Sequence, residues 1–169
     1  GPSNKLDAIL DILDESPGDP LVVYAESRKF IEFLGFQLEK KGYTVGYVTG
    51  AQNARQRAAS IDQFQDGQLD LILGTLGAGA EGITLTRANR IVLAQLSWSH
   101  ATNIQAIDRI HRIGQTRGVH PIVLLSEGTI DLTRFLVDKD KEGRLQDLFR
   151  DPEWIKAAMV GEAWMPKDG

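Results

Sequence analysis

Five short apolar runs, most of them containing several β-branched residues, alternate with longer amphipathic stretches along the chain. The runs cover residues 21–24, 43–48, 69–73, 90–94 and 119–125. Parallel strands need a crossover connection, usually a helix, so strands that alternate with helices indicate a parallel sheet covered on both faces. The alternation predicts an α/β fold of three layers, α/β/α, around a mainly parallel sheet of five or six strands.

Apolar residues recur at the spacing of an amphipathic helix in four segments, residues 4–14, 27–41, 53–65 and 101–111. Ser16-Pro17-Gly18 is expected to end the first helix and Gly42 the second, because glycine after the last turn commonly stops a helix. Beyond the last strand, the charge-laced residues 129–149 predict a long helix. An apolar stripe in residues 154–159 predicts a terminal docking helix.

These signals divide the chain into three parts. Residues 1–3 resemble the remnant of a cleaved expression tag, residues 4–150 form the α/β domain, and residues 151–169 form a C-terminal extension. We expect the chain to be one piece of a longer protein.

Composition excludes several classes of protein. The chain has no cysteine, which excludes a disulfide framework, a thiolate nucleophile and the usual zinc sites. No apolar run approaches the roughly 20 residues that a membrane helix requires, so we expect no membrane partner. We expect an intracellular, monomeric chain without a bound metal, in the cytoplasm, nucleoid or nucleus.

Positive charge is concentrated in one segment. Residues 82–120 contain five arginines and one acidic residue, Asp108, although the whole chain has a net charge of -4. A segregated arginine-rich segment favours a face that binds phosphate groups, although such segregation also arises by chance.

Three polar side chains of this segment fall on one helical stripe. Gln105, Arg109 and Arg112 stand at i, i+4 and i+7, and the opposite face carries Ile104, Ile107 and Ile110. Two guanidiniums at this spacing can stabilise the charge on a transferring γ-phosphoryl group, because their planar forks match phosphate oxygens. The alternative is that both arginines pair with acidic residues on a solvated face.

The stripe belongs to the run QAIDRIHRIGQ, residues 105–115, which resembles motif VI of the Swi/Snf-type ATPases of helicase superfamily II. Four other runs resemble further motifs of this family in the expected order: PLVVYAESRKFIEFL motif IV, GAQNARQRAASIDQF motif IVa, ILGTLGAGAEGITLT motif V, and WSHATNIQA the tryptophan segment. The resemblance covers roughly residues 5–141 and implies the second RecA-like lobe, the helicase C-terminal domain, of a DNA-translocating motor.

In such a motor, the resemblance implies that ATP with Mg²⁺ binds between two lobes and that the first lobe holds most of it. The sequence contains no G-x-x-x-x-G-K-S/T phosphate loop and no D-E-x-H acidic box, so we expect this chain alone to be inactive. By position, Arg109 and Arg112 would be the arginine fingers. The residues near the nucleotide would be Gln105, Gly79 and Gly82.

The resemblance also implies contacts with double-stranded DNA. The implied contact residues follow predicted strands and are Ser27, Arg28, Gly50, Arg57, Thr75 and Trp98. Arg57 has an alternative role within the lobe, and the Trp98 ring has the alternative of capping the sheet edge. Two departures from the family pattern, Leu76 in place of a frequent arginine and Glu81 in place of an apolar residue, predict an altered grip on the minor groove.

These expectations describe a lobe that contacts the DNA backbone without regard to sequence and with strong dependence on salt. Two alternatives remain. The first is the second lobe of an RNA helicase, which shares the fold. The second is a non-catalytic module of the same fold that only binds partners. The presence of both Arg109 and Arg112 argues against this second alternative.

Overall fold

The structure is a computed structural model that describes residues 2–79, 87–95, 99, 101–102, 105, 118, 120–125 and 128–131. Its elements follow the predicted alternation of strands and helices. In chain order they are α1 (Pro2–Glu15), β1 (Leu21–Ala25), α2 (Arg28–Lys40), β2 (Val45–Val48), α3 (Ala54–Gln65), β3 (Leu71–Thr75), α4 (Leu76–Gly79), β4 (Arg90–Leu93), β5 (His120–Leu125) and β6 (Gly128–Asp131).

The six strands form one sheet in the order β2-β3-β1-β4-β5-β6. Strands β1 to β5 are parallel, whereas β6 runs antiparallel to β5. The two outermost strands, β2 and β6, have four residues each. Because the parallel strands share a direction, their carboxyl ends lie along one edge of the sheet, which we call the carboxyl edge, and their amino ends lie along the amino edge.

Helices cover both faces of the sheet. Apolar residues of α1 and α2 pack with Leu21, Val23, Leu71 and Leu73 in one core cluster. Helix α3 lies on the other face, because a Cβ built on Gly46 would come within 3.1 Å of Ser60 Cβ and 2.9 Å of Ile72 Cδ1. The central strands β1 and β3 are buried along their whole length. The predicted three-layer arrangement is confirmed.

Local signals fix the ends of the helices. The Ser27 side chain accepts a hydrogen bond from the Phe30 amide and so begins α2, and Asn53 and Gln56 form a reciprocal capping box at the start of α3. Gly42 follows α2 with a φ of 96°, a conformation that favours glycine. Among the described residues, no helix is both long enough and apolar enough to cross a membrane.

Two predictions differ from the structure, and a third falls on residues that the structure does not describe. Residues 129–131, predicted as the start of a helix, form most of β6, because β-branched Thr129 and Ile130 follow a short connection and pair with β5. Helix α1 begins at Pro2, inside the segment attributed to a tag. Residues 132–169, with the predicted long helix and docking helix, lie outside the described part of the chain.

Candidate functional site

The carboxyl edge brings together loops that are distant in sequence. Strands β2, β3, β1 and β4 are neighbours in that order. The residues at or just after their carboxyl ends are Thr49, Thr75, Glu26 and Ala94. In open parallel sheets, ligands bind beyond these ends. Several of the residues predicted to contact DNA therefore belong to one continuous edge.

Ser27 joins two of these loops. Its side chain caps α2, and its own backbone N–H donates to Gln95 Oε1 at 3.0 Å across 68 residues of sequence. Gln95 follows β4 and precedes the tryptophan segment. The start of α2 is thus held in place by the exit of β4.

Arg28, the first residue of α2, points into solvent. Its Nε lies 2.6 Å from Glu32 Oε1, and the two side chains are 57% and 55% exposed. An exposed pair one helical turn apart contributes only about 0.3–0.5 kcal/mol. Arg28 can therefore exchange Glu32 for a phosphate group at little cost in stability.

Arg57 supports the loop that carries Gly50. Its Nη1 donates to the carbonyl oxygens of Gln52, at 2.5 Å, and of Thr49, at 3.4 Å. The Gln52 side chain in turn accepts from the Thr49 backbone N–H and from its hydroxyl, at 2.8 and 3.0 Å. These bonds favour the structural alternative for Arg57. Gly50 is left exposed, and a Cβ built there would meet nothing within 4 Å.

Thr75 is the last residue of β3, where its backbone pairs with Ala25, and it is 8% exposed. The predicted motif V loop therefore begins later than expected, since Gly74 belongs to β3 and Leu76 opens α4. A Cβ on Gly74 would come within 3.1 Å of the Tyr24 ring, so this glycine serves packing. Leu76, at the position where an arginine is frequent, is buried at 2% exposure.

A buried lysine also reaches the carboxyl edge. Lys5 of α1 is 5% exposed, and its Nζ donates to the Ala94 carbonyl at 2.6 Å. The same Nζ lies 5.9 Å from the centroid of the Phe30 ring. Burial lowers the pKa of Lys5 from 10.5 to about 8, because an apolar environment disfavours the charged form.

This pKa predicts a dependence of stability on pH that the substitution Lys5→Met removes. Between pH 8 and 10.5 the unfolded chain binds more protons than the folded chain, so folding becomes more favourable as the pH rises through this window. Relative to Lys5→Met, the wild type should gain roughly 1–2 kcal/mol of unfolding free energy between about pH 7 and 9.5. Urea unfolding at both pH values measures this gain. Parallel profiles for the two proteins would contradict it.

Two of the five clustered arginines lie at the amino edge and serve the fold. Arg87 Nη1 donates to the carbonyls of Phe64 and Leu69, both at 2.7 Å. Arg90, 8% exposed, donates to the Ile12 carbonyl, and its Nε lies 3.7 Å from Asp19 Oδ2. For these two, the expectation of a phosphate-facing role is wrong, because their guanidiniums bind the ends of helices and strands within the domain.

The remaining predicted residues are described only in part. Gly79 ends α4. Ala101, Thr102 and Gln105 have helical backbone, as predicted for this segment, and Gln105 is exposed. Ser99 Oγ accepts from the Thr102 amide at 3.3 Å, as a residue that precedes a helix often does. The other four predicted residues, Gly82, Trp98, Arg109 and Arg112, lie outside the described part of the chain.

A parallel sheet with its polar loops at the carboxyl edge is common to many nucleotide-dependent proteins, so the comparison with known families decides between them. The helicase conserved C-terminal domain matches residues 4–114, more than half of the 169-residue chain. The chain belongs to this family. Its place among helicase C-terminal domains explains why the motifs follow the strands in the order observed.

Relatives by sequence carry names of chromatin and DNA repair proteins. Protein CHROMATIN REMODELING 24 of Arabidopsis thaliana is 30% identical over 132 residues, 76% of this chain and 12% of the relative. DNA repair protein RAD5A of the same plant is 28% identical over 166 residues, 96% and 16%. SNF2 domain-containing protein ENL1 of Oryza sativa is 29% identical over 132 residues, 76% and 13%. This helicase C-terminal domain is thus of the Swi/Snf type, as residues 105–115 predict.

The fold agrees with solved helicase C-terminal domains. The C-terminal part of the Fun30 ATPase domain superposes with a TM-score of 0.62 at 22% identity, over 90% of this chain and 53% of that one. The Sulfolobus solfataricus SWI2/SNF2 ATPase C-terminal domain gives 0.58 at 19% identity, over 94% and 69%. The chain spans 12% to 16% of the length of the three relatives named above.

The sequence did not single out two residues that organise the carboxyl edge of this helicase C-terminal domain, Lys5 and Gln95. Gln52 does follow a predicted strand, as expected of a phosphate contact, but its side chain bonds to Thr49 within its own loop. Lys5 and Gln95 act across 89 and 68 residues. For Lys5, the sequence gives one sign of a special role, which is a lysine among the apolar positions of an amphipathic helix. For Gln95 it gives none.

Proposed function

We propose that this helicase C-terminal domain is the second motor lobe of an ATP-driven translocase on double-stranded DNA. The carboxyl edge contacts the DNA backbone, and Arg109 and Arg112 complete an ATP site whose other wall is the first RecA-like lobe. One observation carries the proposal: in a chain of this family, three adjacent strands lead to Gly50, Thr75 and Ser27 on the same edge.

The chemistry of this edge suits phosphate. It carries Thr75, which is 8% exposed, the start of α2, an arginine in a weak exposed pair, and a glycine that leaves room for close approach. Groups of this kind bind phosphate oxygens without reading base edges. Binding should therefore be weak for this lobe alone, insensitive to sequence and strongly reduced by salt.

ATP with Mg²⁺ is assigned mainly to the first lobe. Within the described residues, no group of three or more His, Asp or Glu is arranged to hold a metal ion. Gln105, Gly79 and Gly82 of this lobe are proposed to approach the nucleotide, and the two arginines to stabilise charge on the γ-phosphoryl group as it transfers.

Double-stranded DNA is favoured over RNA by the relatives, which are named for chromatin remodelling and DNA repair. Fold alone does not choose between the two nucleic acids. Acting on DNA, the protein would work where DNA is, inside the cell.

ATP hydrolysis by the two-lobed protein, measured with duplex DNA, duplex RNA or neither, tests the proposal. We expect stimulation by duplex DNA of any sequence and no hydrolysis by this chain alone. Stimulation by RNA in preference to DNA would reassign the chain to an RNA helicase. A rate of hydrolysis that neither duplex DNA nor duplex RNA changes would refute the proposal of a nucleic-acid motor.

A further inference from the structure

Lys5 places a positive charge beneath the carboxyl edge in an apolar setting. Three apolar residues of α1, namely Ile9, Ile12 and Leu13, already hold this helix in the core cluster. An ammonium adds a desolvation penalty to that docking, and in the described part of the chain Lys5 forms no ion pair. Packing of α1 on the sheet therefore does not require a lysine at this position.

Two contacts of the Lys5 ammonium with described residues lead to Ser27. The Phe30 ring lies 5.9 Å from Nζ, and the Phe30 backbone N–H donates to Ser27 Oγ at 3.1 Å. Ala94, whose carbonyl accepts from Nζ at 2.6 Å, is followed at once by Gln95, whose Oε1 accepts from the Ser27 N–H at 3.0 Å. Lys5 thus contacts Phe30, whose N–H bonds to the Ser27 side chain. It also contacts Ala94, the neighbour of Gln95, whose side chain bonds to the Ser27 N–H.

The exit of β4 is also fixed from the sheet itself. The Ala94 N–H donates to the Tyr24 carbonyl at 2.7 Å. The Ala94 N–H belongs to the peptide group that joins Leu93 to Ala94, and this group is bonded to β1. The Ala94 carbonyl belongs to the next peptide group, which joins Ala94 to Gln95, and Lys5 bonds to it. Removing the ammonium would therefore free the Ala94–Gln95 peptide group while leaving the strand pairing in place.

We infer that Lys5 is a positioning residue for DNA contact, which holds the exit of β4 and the start of α2 in the relative placement that the DNA backbone requires. This inference rests on the proposed function. It concerns a residue that touches no DNA and acts through Ala94, Gln95 and Phe30.

The first measurement does not involve DNA. In ¹H–¹⁵N spectra of this chain, Lys5→Met, which keeps side-chain length and apolar contacts, should shift the Ser27 amide resonance and speed its hydrogen exchange. Gln95→Leu, which removes the acceptor directly, should shift the same resonance. Ile9→Val, a loss of one methylene from the buried face of α1, should leave it in place. An unmoved Ser27 resonance in Lys5→Met overturns the inference.

The second measurement is the affinity for duplex DNA at low salt by fluorescence anisotropy. Lys5→Met and Gln95→Leu should each weaken binding roughly threefold to tenfold. This is the loss of affinity expected when one hydrogen bond that positions the contact residues is removed. The double variant should be no weaker than the worse single variant, since both act on one element. If Lys5→Met shifts the Ser27 amide resonance but binds DNA with the same affinity as Ile9→Val, the inference is overturned. Wild type that does not bind DNA refutes the proposed function instead, and the spectra still test the link to Ser27.

Discussion

In the two-lobed motor, Arg112→Ala is expected to lower kcat for DNA-stimulated ATP hydrolysis by roughly 10³-fold or more, which is what an arginine finger contributes to phosphoryl transfer. The affinity for DNA should not change, because Arg112 is assigned to the nucleotide and not to the carboxyl-edge contacts. Arg109→Ala should behave alike, because the sequence spacing predicts that both side chains lie on one helical stripe. Single-turnover hydrolysis at saturating ATP and DNA measures the effect on chemistry.

Two further variants make this prediction specific. Arg112→Lys should recover little activity, because an ammonium is a compact charge without the planar fork that matches two phosphate oxygens. Arg55→Ala removes an arginine of the same size from an exposed position on α3 and should leave kcat unchanged. If Arg112→Ala turned over ATP at the wild-type rate, the chain would be a binding module that keeps the helicase fold.

The second large effect is on folding. Phe64→Ala is expected to lower the free energy of unfolding by about 3–5 kcal/mol, because it empties a fully buried aromatic site. The Phe64 ring also lies 5.3 Å from Arg87 Cζ, so the substitution removes a cation–π contact at the amino edge. Urea denaturation of this chain measures the loss.

The chain provides a matched control for Phe64. Phe36→Ala makes the same chemical change on α2, where the ring is 59% exposed and lies 5.4 Å from Lys40 Nζ. Its cost should stay within about 1 kcal/mol, the scale of a surface substitution with a weak cation–π contact. Equal losses for Phe36→Ala and Phe64→Ala would show that α3 does not bury its aromatic residue as described.

Most of the fold is readable from the sequence because its signals are local. Each predicted strand overlaps an observed one within two residues at either end, and Asn53 and Gly42 lie where capping chemistry places them. Strand β6 was not predicted, because the many charged residues in 129–149 suggest one long helix. The pairing that makes residues 128–131 a strand comes from β5, which is a tertiary contact.

The candidate site is predictable only in outline. Ser27, Gly50 and Thr75 can be predicted because each comes soon after an apolar run that forms a strand. Lys5 and Gln95 cannot, since their partners lie on other elements of the sheet. Arg87 and Arg90 were misleading for the same reason. Their proximity in sequence to Arg109 suggests a phosphate-binding face, yet the direction of β4 places them at the amino edge, where they bond within the domain.

The two outermost described strands have a consequence for how the protein behaves at high concentration. An outer strand offers unpaired amide and carbonyl groups to other chains, and the hazard grows with its length. Here β2 and β6 present only four residues each. A second molecule that added itself to either side would gain few hydrogen bonds, so the sheet resists growing into a larger assembly through its flanks.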